Sequence, residues 1–184
     1  MLLALAGVTG VGKSYFKDKI VEKLNFEKLK IITTRKIRAY EKNNDDKIFV
    51  TPEEFKLLKD SNVFAYDFNM LGNMYAYSNE ALFSDKNTVF ELHYNTIFDF
   101  KRICPNVVAI YIFPTNIEMA KEETRKRHLD SNVEEQRLME IDEHYNKIIS
   151  DRKLREQFDY IVYNNYDNKS ENKIIELVNN LLNK

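Results

Sequence analysis

Leu2-Leu3-Ala4-Leu5-Ala6-Gly7-Val8-Thr9-Gly10-Val11-Gly12-Lys13-Ser14 runs from an apolar stretch straight into the pattern G-x-x-x-x-G-K-[ST]. Glycines at the first and sixth pattern positions let the backbone fold back with its N–H groups pointing inward, a cradle for anionic oxygens. Lys13 adds a point charge suited to β- and γ-phosphates, and Ser14 offers a hydroxyl to Mg²⁺. Eight residues can match by chance, so the flanks matter. Leu2 to Ala6 reads as a short strand buried on both faces of a parallel sheet. After the loop, Phe16, Ile20 and Leu24 recur every four residues with Lys17, Asp18, Lys19, Glu22 and Lys23 between them, the spacing of an amphipathic helix. The N-terminus of that helix faces the loop and adds its partial positive charge to a phosphate site.

Composition narrows the partners. At 184 residues the chain has the size of one domain with a real core. Its 28 basic and 29 acidic side chains nearly cancel, so no global field favours nucleic acid, and none is expected as a partner. Cys104 is the only cysteine, which excludes an internal disulfide and fits a reducing compartment. The apolar start lacks a basic n-region, and no run approaches membrane-spanning length. A soluble, cytoplasmic protein without a membrane partner is expected, its oligomeric state left open.

Apolar β-type runs alternate with helical periodicity along the chain, which predicts an α/β fold around a mostly parallel sheet. The strand candidates are 2–6, 29–32, 88–92, 107–113 and 160–163. Three capping boxes mark helix starts: Thr51 with Glu54, helped by Pro52 at N1, then Thr115 with Glu118, and Ser131 with Glu134. Leu138, Ile141, Tyr145 and Ile148 form the stripe of the helix opened by Ser131. Ile174, Ile175, Leu177, Val178, Leu181 and Leu182 form that of a terminal helix. Two stretches fall outside the alternation. Residues 33–80 carry Arg, Tyr, Asn and Asp with weak periodicity, as an inserted subdomain facing a ligand would. Residues 124–137 hold Arg125, Lys126, Arg127, His128 and Arg137 on a short connection, where the cations also suit a helix C-terminus.

Taken together, these stretches and the loop resemble the guanylate kinases over nearly the whole chain. Thr33-Thr34-Arg35-Lys36-Ile37-Arg38 is similar to that family's T-T-R-x-x-R segment, and Phe49-Val50-Thr51-Pro52-Glu53-Glu54-Phe55 to its F-V-s-x-e-E-F helix start. Gly72-Asn73-Met74-Tyr75 resembles its G-N-x-Y-G turn, with Ala76 in place of the last glycine. Phe158-Asp159-Tyr160-Ile161-Val162-Tyr163-Asn164-Asn165 is similar to its F-D-Y-x-I-x-N-D strand. The resemblance implies a P-loop kinase fold, a parallel five-stranded sheet flanked by helices, in one domain spanning 1–184. Its core would be 1–32, 81–123 and 138–184, its monophosphate-binding insertion 33–80 and its lid 124–137. It also implies transfer of the γ-phosphoryl of ATP to a nucleoside monophosphate, GMP first among them, with Mg²⁺.

Carried over by position, Gly7, Val8, Thr9, Gly10, Val11, Gly12, Lys13 and Ser14 would hold ATP, with Ser14 on Mg²⁺. Arg35, Arg38 and Tyr75 would hold the acceptor phosphate, which suits the planar guanidinium fork. Arg127 and Arg137 would be the lid arginines that join Lys13 in catalysis, with Arg125 the alternative to Arg127. Glu91 stands where the family has an aspartate near the acceptor and the Mg²⁺ waters, and His93 where a second aspartate is usual. His93, His128 and His144 read as structural or surface residues. The departures fall on the acceptor base. Ile31 replaces a serine that contacts guanine, Tyr66 aligns with a glutamate that reads the ring's N–H groups, and Lys47 replaces a tyrosine on the acceptor phosphate. Asp67 would serve instead of Tyr66 if the strand slipped by one residue. The altered pocket keeps open a kinase of another phosphorylated small molecule, such as a ribose bisphosphate. A non-catalytic protein-binding module of the same fold is the third reading.

Overall fold

The computed structural model describes residues 1–37, 45–70 and 72–183. In chain order its elements are β1 (Leu2–Gly7), α1 (Lys13–Lys23), β2 (Glu27–Lys28), β3 (Ile31–Thr33), β4 (Lys47–Phe49), α2 (Pro52–Asp60), β5 (Phe64–Met70), β6 (Asn73–Ser78), α3 (Asn79–Leu82) and β7 (Thr88–Glu91). A 3₁₀ turn (Tyr94–Thr96) follows, then α4 (Ile97–Ile103), β8 (Val108–Pro114), α5 (Ile117–Arg125), α6 (Ser131–Ser150), α7 (Arg152–Arg155), β9 (Tyr160–Asn164) and α8 (Asn168–Leu182).

β1 is apolar at every position because both of its faces are covered, and its alternation sorts the interior into two clusters. Leu3 and Leu5 point into one, with Phe16 and Ile20 of α1, Ile110 and Ile112 of β8, Ile141 of α6 and Ile174 and Val178 of α8. Ala4 and Ala6 point into the other, with Phe90, Phe100, Tyr111, Ile148 and Phe158. The five-stranded sheet runs β2-β7-β1-β8-β9 with every pair parallel, so helices must return the chain across its faces. The carboxyl ends of β1 and β7 meet at one edge of this layer, where Gly7 and Glu91 stand.

A second sheet, β4-β3-β6-β5, is parallel only between β3 and β4. One face packs Ile32, Phe55 and Ala76 with Ile48, Leu58 and Phe64 into a small core under α2. From the other side Ile31, Tyr66 and Phe68 reach the main core cluster. Of the strand expected at 29–32 only Ile31 and Ile32 lie in a strand, β3 of the second sheet, while β2 of the main sheet ends just before it at Lys28. Glu27 and Lys28 pair with Thr88 and Val89, and the chain then leaves for the second sheet, where Ile31 pairs with Lys47. An apolar run does not reveal that its partner changes midway.

The caps also sort differently from their sequence signatures. Thr51 and Glu54 form the expected box, with Glu54 N–H donating to Thr51 Oγ1 at 3.2 Å and Thr51 N–H to Glu54 Oε2 at 2.7 Å. At α5 the cap is Asn116, whose Oδ1 accepts from Glu118 N–H at 2.9 Å, while Thr115 N–H bonds Asn164 O at 3.1 Å and continues the strand pairing. Ser131 lies inside α6, and Asp130 stands at its N-cap. No described helix is long and apolar enough to cross a membrane.

Candidate active site

The loop between β1 and α1 is held from beneath and from the side. Val8 and Val11 are fully buried in the core cluster of α1 and α8. Gly10 has φ 81°, and a Cβ there would lie 2.0 Å from Ala120 O of α5. Gly12, at φ 92°, precedes the first turn of α1. Asn164, at the end of β9, donates from Nδ2 to Val11 O at 3.0 Å and accepts Tyr166 N–H at 2.7 Å. Lys13 folds back over the loop and donates to Gly7 O and Val8 O, each at 2.9 Å. Withdrawal from water pushes its ammonium down to about 8, Glu91 opposes this, and Arg127, Lys17 and Arg137 push further down. An incoming polyphosphate would reverse that balance, because anionic oxygens favour the charged amine. A cavity of about 380 Å³ opens beside Gly10 and Gly12 and is bounded by Phe16, Asn164, Tyr166 and Asp167.

Ser14, the second residue of α1, donates its hydroxyl to Glu91 Oε1 at 2.9 Å. The same oxygen accepts Lys17 Nζ at 2.9 Å, and Lys17 also pairs with Asp46. Burial works against the charge on Glu91, but Lys17 and Lys13 outweigh it and hold the carboxyl down at about 2. Asp46 is held at about 2 in the same way, burial being outweighed by Lys17. Burial also opposes the ammonium of Lys17, and Glu91 and Asp46 keep it above the ordinary lysine range.

Arg127 and Arg137 act on Lys13 electrostatically. Arg137 is tethered to Glu140 on its own helix at 2.6 Å. His93 accepts Asn95 N–H on Nδ1 at 3.3 Å, and burial, then Lys13 and Arg137, push its imidazole down to about 4. His144 stacks on Tyr94 at 3.7 Å and bonds the Tyr111 hydroxyl at 3.0 Å. His128 is exposed.

On the second sheet, Arg35 follows β3 with its guanidinium over the Phe49 ring at 5.3 Å and NH1 donating to Lys36 O at 2.8 Å. Arg38 lies outside the described residues. Lys47 heads β4 and pairs with Asp46 at 2.8 Å, beside Lys17. Tyr75 pairs with Thr33 and stacks on Phe68 at 5.4 Å, and Tyr66 stacks on the same ring at 5.4 Å while meeting Phe100 edge-on. Asp67 points to the opposite face and pairs with Lys59 of α2 at 2.6 Å, so the one-residue slip is not taken. A slip would carry Tyr66 and Phe68 out of the core with it.

The Guanylate kinase family model matches residues 1–181. The chain belongs to the guanylate kinase family. The guanylate kinase of Wolbachia pipientis wMel is 29% identical over 187 residues, covering 97% of this chain and 89% of that one. That of Lactobacillus delbrueckii subsp. bulgaricus is 33% identical over 138 residues, covering 71% and 67%. The crystal structure of guanylate kinase from Anaplasma phagocytophilum superposes with a TM-score of 0.70 at 23% identity, over 100% of this chain and 84% of that one, a likeness of fold. Membership makes the chain a nucleoside monophosphate kinase, at modest identity but along its whole length.

Three constraints in this guanylate kinase family member escape a sequence reading. Gly10 occupies a free position of the loop pattern, yet Ala120 of α5 leaves no room for a side chain. Asn164 had only the strand motif to mark it. Lys17 read as a solvent-facing helix lysine but is 4% exposed. The hydroxyl of Ser14 and the carboxylate of Glu91 form a hard oxygen pair at the loop, donors that suit Mg²⁺, which keeps several of its waters and takes few protein ligands.

Proposed function

We propose that the protein transfers the γ-phosphoryl group of ATP to GMP, giving ADP and GDP. The observation that carries this reading is the charge convergence on the loop: Lys13 lies folded over Gly7 and Val8, and both Arg127 and Arg137 bear on it. Phosphoryl transfer asks little covalent chemistry of the protein, so positioning and charge neutralisation carry the rate. In this reading the loop amides and Lys13 hold the donor's β- and γ-phosphates, and the base side of ATP enters the cavity between Phe16 and Asn164. Ser14 and Glu91 would hold Mg²⁺, which neutralises phosphate charge when bound. Arg35, Arg38, Lys47 and Tyr75 present the acceptor's phosphate. Its oxygen attacks the γ-phosphorus in line as the bond to ADP breaks, while 124–137 closes as a lid that excludes water.

A second reading is favoured by the base side of the second sheet. Ile31 and Tyr66 pack toward the core, and the carboxylate of Asp67 is engaged with Lys59. A pocket that matches a base's hydrogen bonds discriminates strongly and an apolar one weakly, so another phosphorylated acceptor is the runner-up. ATP turnover against GMP, AMP, UMP and sugar phosphates, with product identification, decides between them. GMP alone accepted supports the first reading, a sugar phosphate preferred supports the second, and absence of Mg²⁺-dependent ATP binding overturns both. A nucleotide kinase of this kind belongs in the cytoplasm.

A further inference from the structure

Lysine is seldom buried unless paired, because its ammonium is strongly hydrated. The Lys17 side chain is only 5% exposed. It lies one turn beyond Lys13 on α1, hence on the same side of the helix. Its ammonium donates to Glu91 Oε1 at 2.9 Å and pairs with Asp46. Glu91 ends β7 of the main sheet and its Oε1 also accepts Ser14 Oγ at 2.9 Å. Asp46 stands immediately ahead of β4 of the second sheet, accepts Lys47 Nζ at 2.8 Å, and lends its backbone carbonyl to Ile31 N–H at 3.1 Å. One ammonium thus ties together the phosphate-binding helix, the carboxylate on Ser14 and the root of the second sheet. Packing alone does not call for a charge here, since an apolar side chain of similar volume often serves stability as well as a buried ion pair.

We propose that Lys17 is a positioning residue for phosphoryl transfer, aiming Glu91 at Ser14 through one bond and setting the acceptor-binding sheet against the phosphate loop through the other. The inference rests on the kinase reading above. Lys17→Met keeps the length and volume but removes the charge, and both carboxylates lose their shared counter-ion. The loop and Lys13 stay, so ATP affinity measured by calorimetry without acceptor and without Mg²⁺ holds at its wild-type value. The acceptor is displaced relative to the donor, and its KM rises on the order of tenfold or more, with kcat falling by a similar factor. The Mg²⁺ concentration giving half-maximal ATP binding rises as well, because Glu91 is no longer held. Asp46→Asn weakens the second tie, together with the Lys47 pair, and leaves the Glu91 bond intact: the acceptor KM rises and the Mg²⁺ midpoint stays. Lys17→Arg restores the charge and recovers part of the loss. Combined with Lys17→Met, Asp46→Asn adds nothing further to the acceptor KM, since both break the same link.

Wild-type KM and kcat in Lys17→Met, with only a lower melting temperature, would show a packing residue and overturn the inference. Independent, additive effects of the two variants would overturn it equally. If Lys17→Met fails to fold, a wild-type acceptor KM in Asp46→Asn has the same force. A wild-type protein that turns over no monophosphate removes the kinase reading itself, a different outcome from an active wild type with an unaffected variant.

Discussion

Asn164 and Lys13 show what single side chains contribute to the phosphate loop. Asn164 is 3% exposed and satisfies both the carbonyl of Val11 and the N–H of Tyr166. Asn164→Ala leaves those two groups unpaired in a dry setting, and we expect a loss of about 1–3 kcal/mol in urea unfolding together with weaker ATP binding. Unchanged stability would mean that water replaces the amide. Lys13→Ala removes the cation folded over the loop. Turnover should fall at least on the order of a hundredfold while the thermal midpoint is kept, and unaltered turnover would remove Lys13 from the donor site. Glycine at 10 answers to a neighbour rather than to the motif. Adding a methyl there, at positive φ and against Ala120 O, forces α5 away from the loop.

At the scale of elements, α5, α6 and β5 decide which of several nearby side chains face the chemistry. Arg125 and Arg127 are both exposed near the end of α5, and the charge of Arg127 bears on Lys13. Arg127→Ala is expected to lower kcat on the order of a thousandfold, and Arg125→Ala to stay near wild type. The reverse ranking would exchange their roles. On β5, alternation places Tyr66 and Phe68 toward the main core and Asp67 toward α2. Asp67→Asn should therefore leave the acceptor KM unchanged. A rise of tenfold or so would show Asp67 reaching the acceptor after all.

For the molecule as a whole, buried His144 and half-buried His93 make stability depend on mild acid. Burial, then Lys13 and His93, push His144 from its ordinary 6.5 down to about 2. The folded chain thus refuses a proton that the unfolded chain accepts, and stability falls as pH drops below about 6.5, by at most about 1.4 kcal/mol per pH unit for one proton. His93, pushed down to about 4, adds a loss of the same sign. Asp46 enters later: with its carboxyl held at about 2 against an ordinary 3.8, its contribution is present at neutral pH and is lost as the pH falls below about 4. Urea midpoints from pH 7.5 to 5 test the histidine window. His144→Gln keeps an acceptor for the Tyr111 hydroxyl and should flatten the slope, and parallel slopes would refute the assignment.

What the amino-acid order determined by itself is what near neighbours in the chain control. The glycine loop, the apolar strand before it, the amphipathic helix after it and the capping box at Thr51 depend on backbone freedom, side-chain period and contacts three or four residues apart. Strands β1, β7, β8 and β9 accordingly lie where the apolar runs put them. Only the tertiary structure decided the rest. It ended β2 at Lys28 and sent Ile31 and Ile32 to the second sheet, turned Asp67 from the core, buried Lys17 between Glu91 and Asp46, and brought Asn164 to Val11 across 153 positions. These outcomes rest on strand pairing and on the removal of charges from water by distant segments. Both arise only when the sheets assemble, and local pattern carries no trace of them.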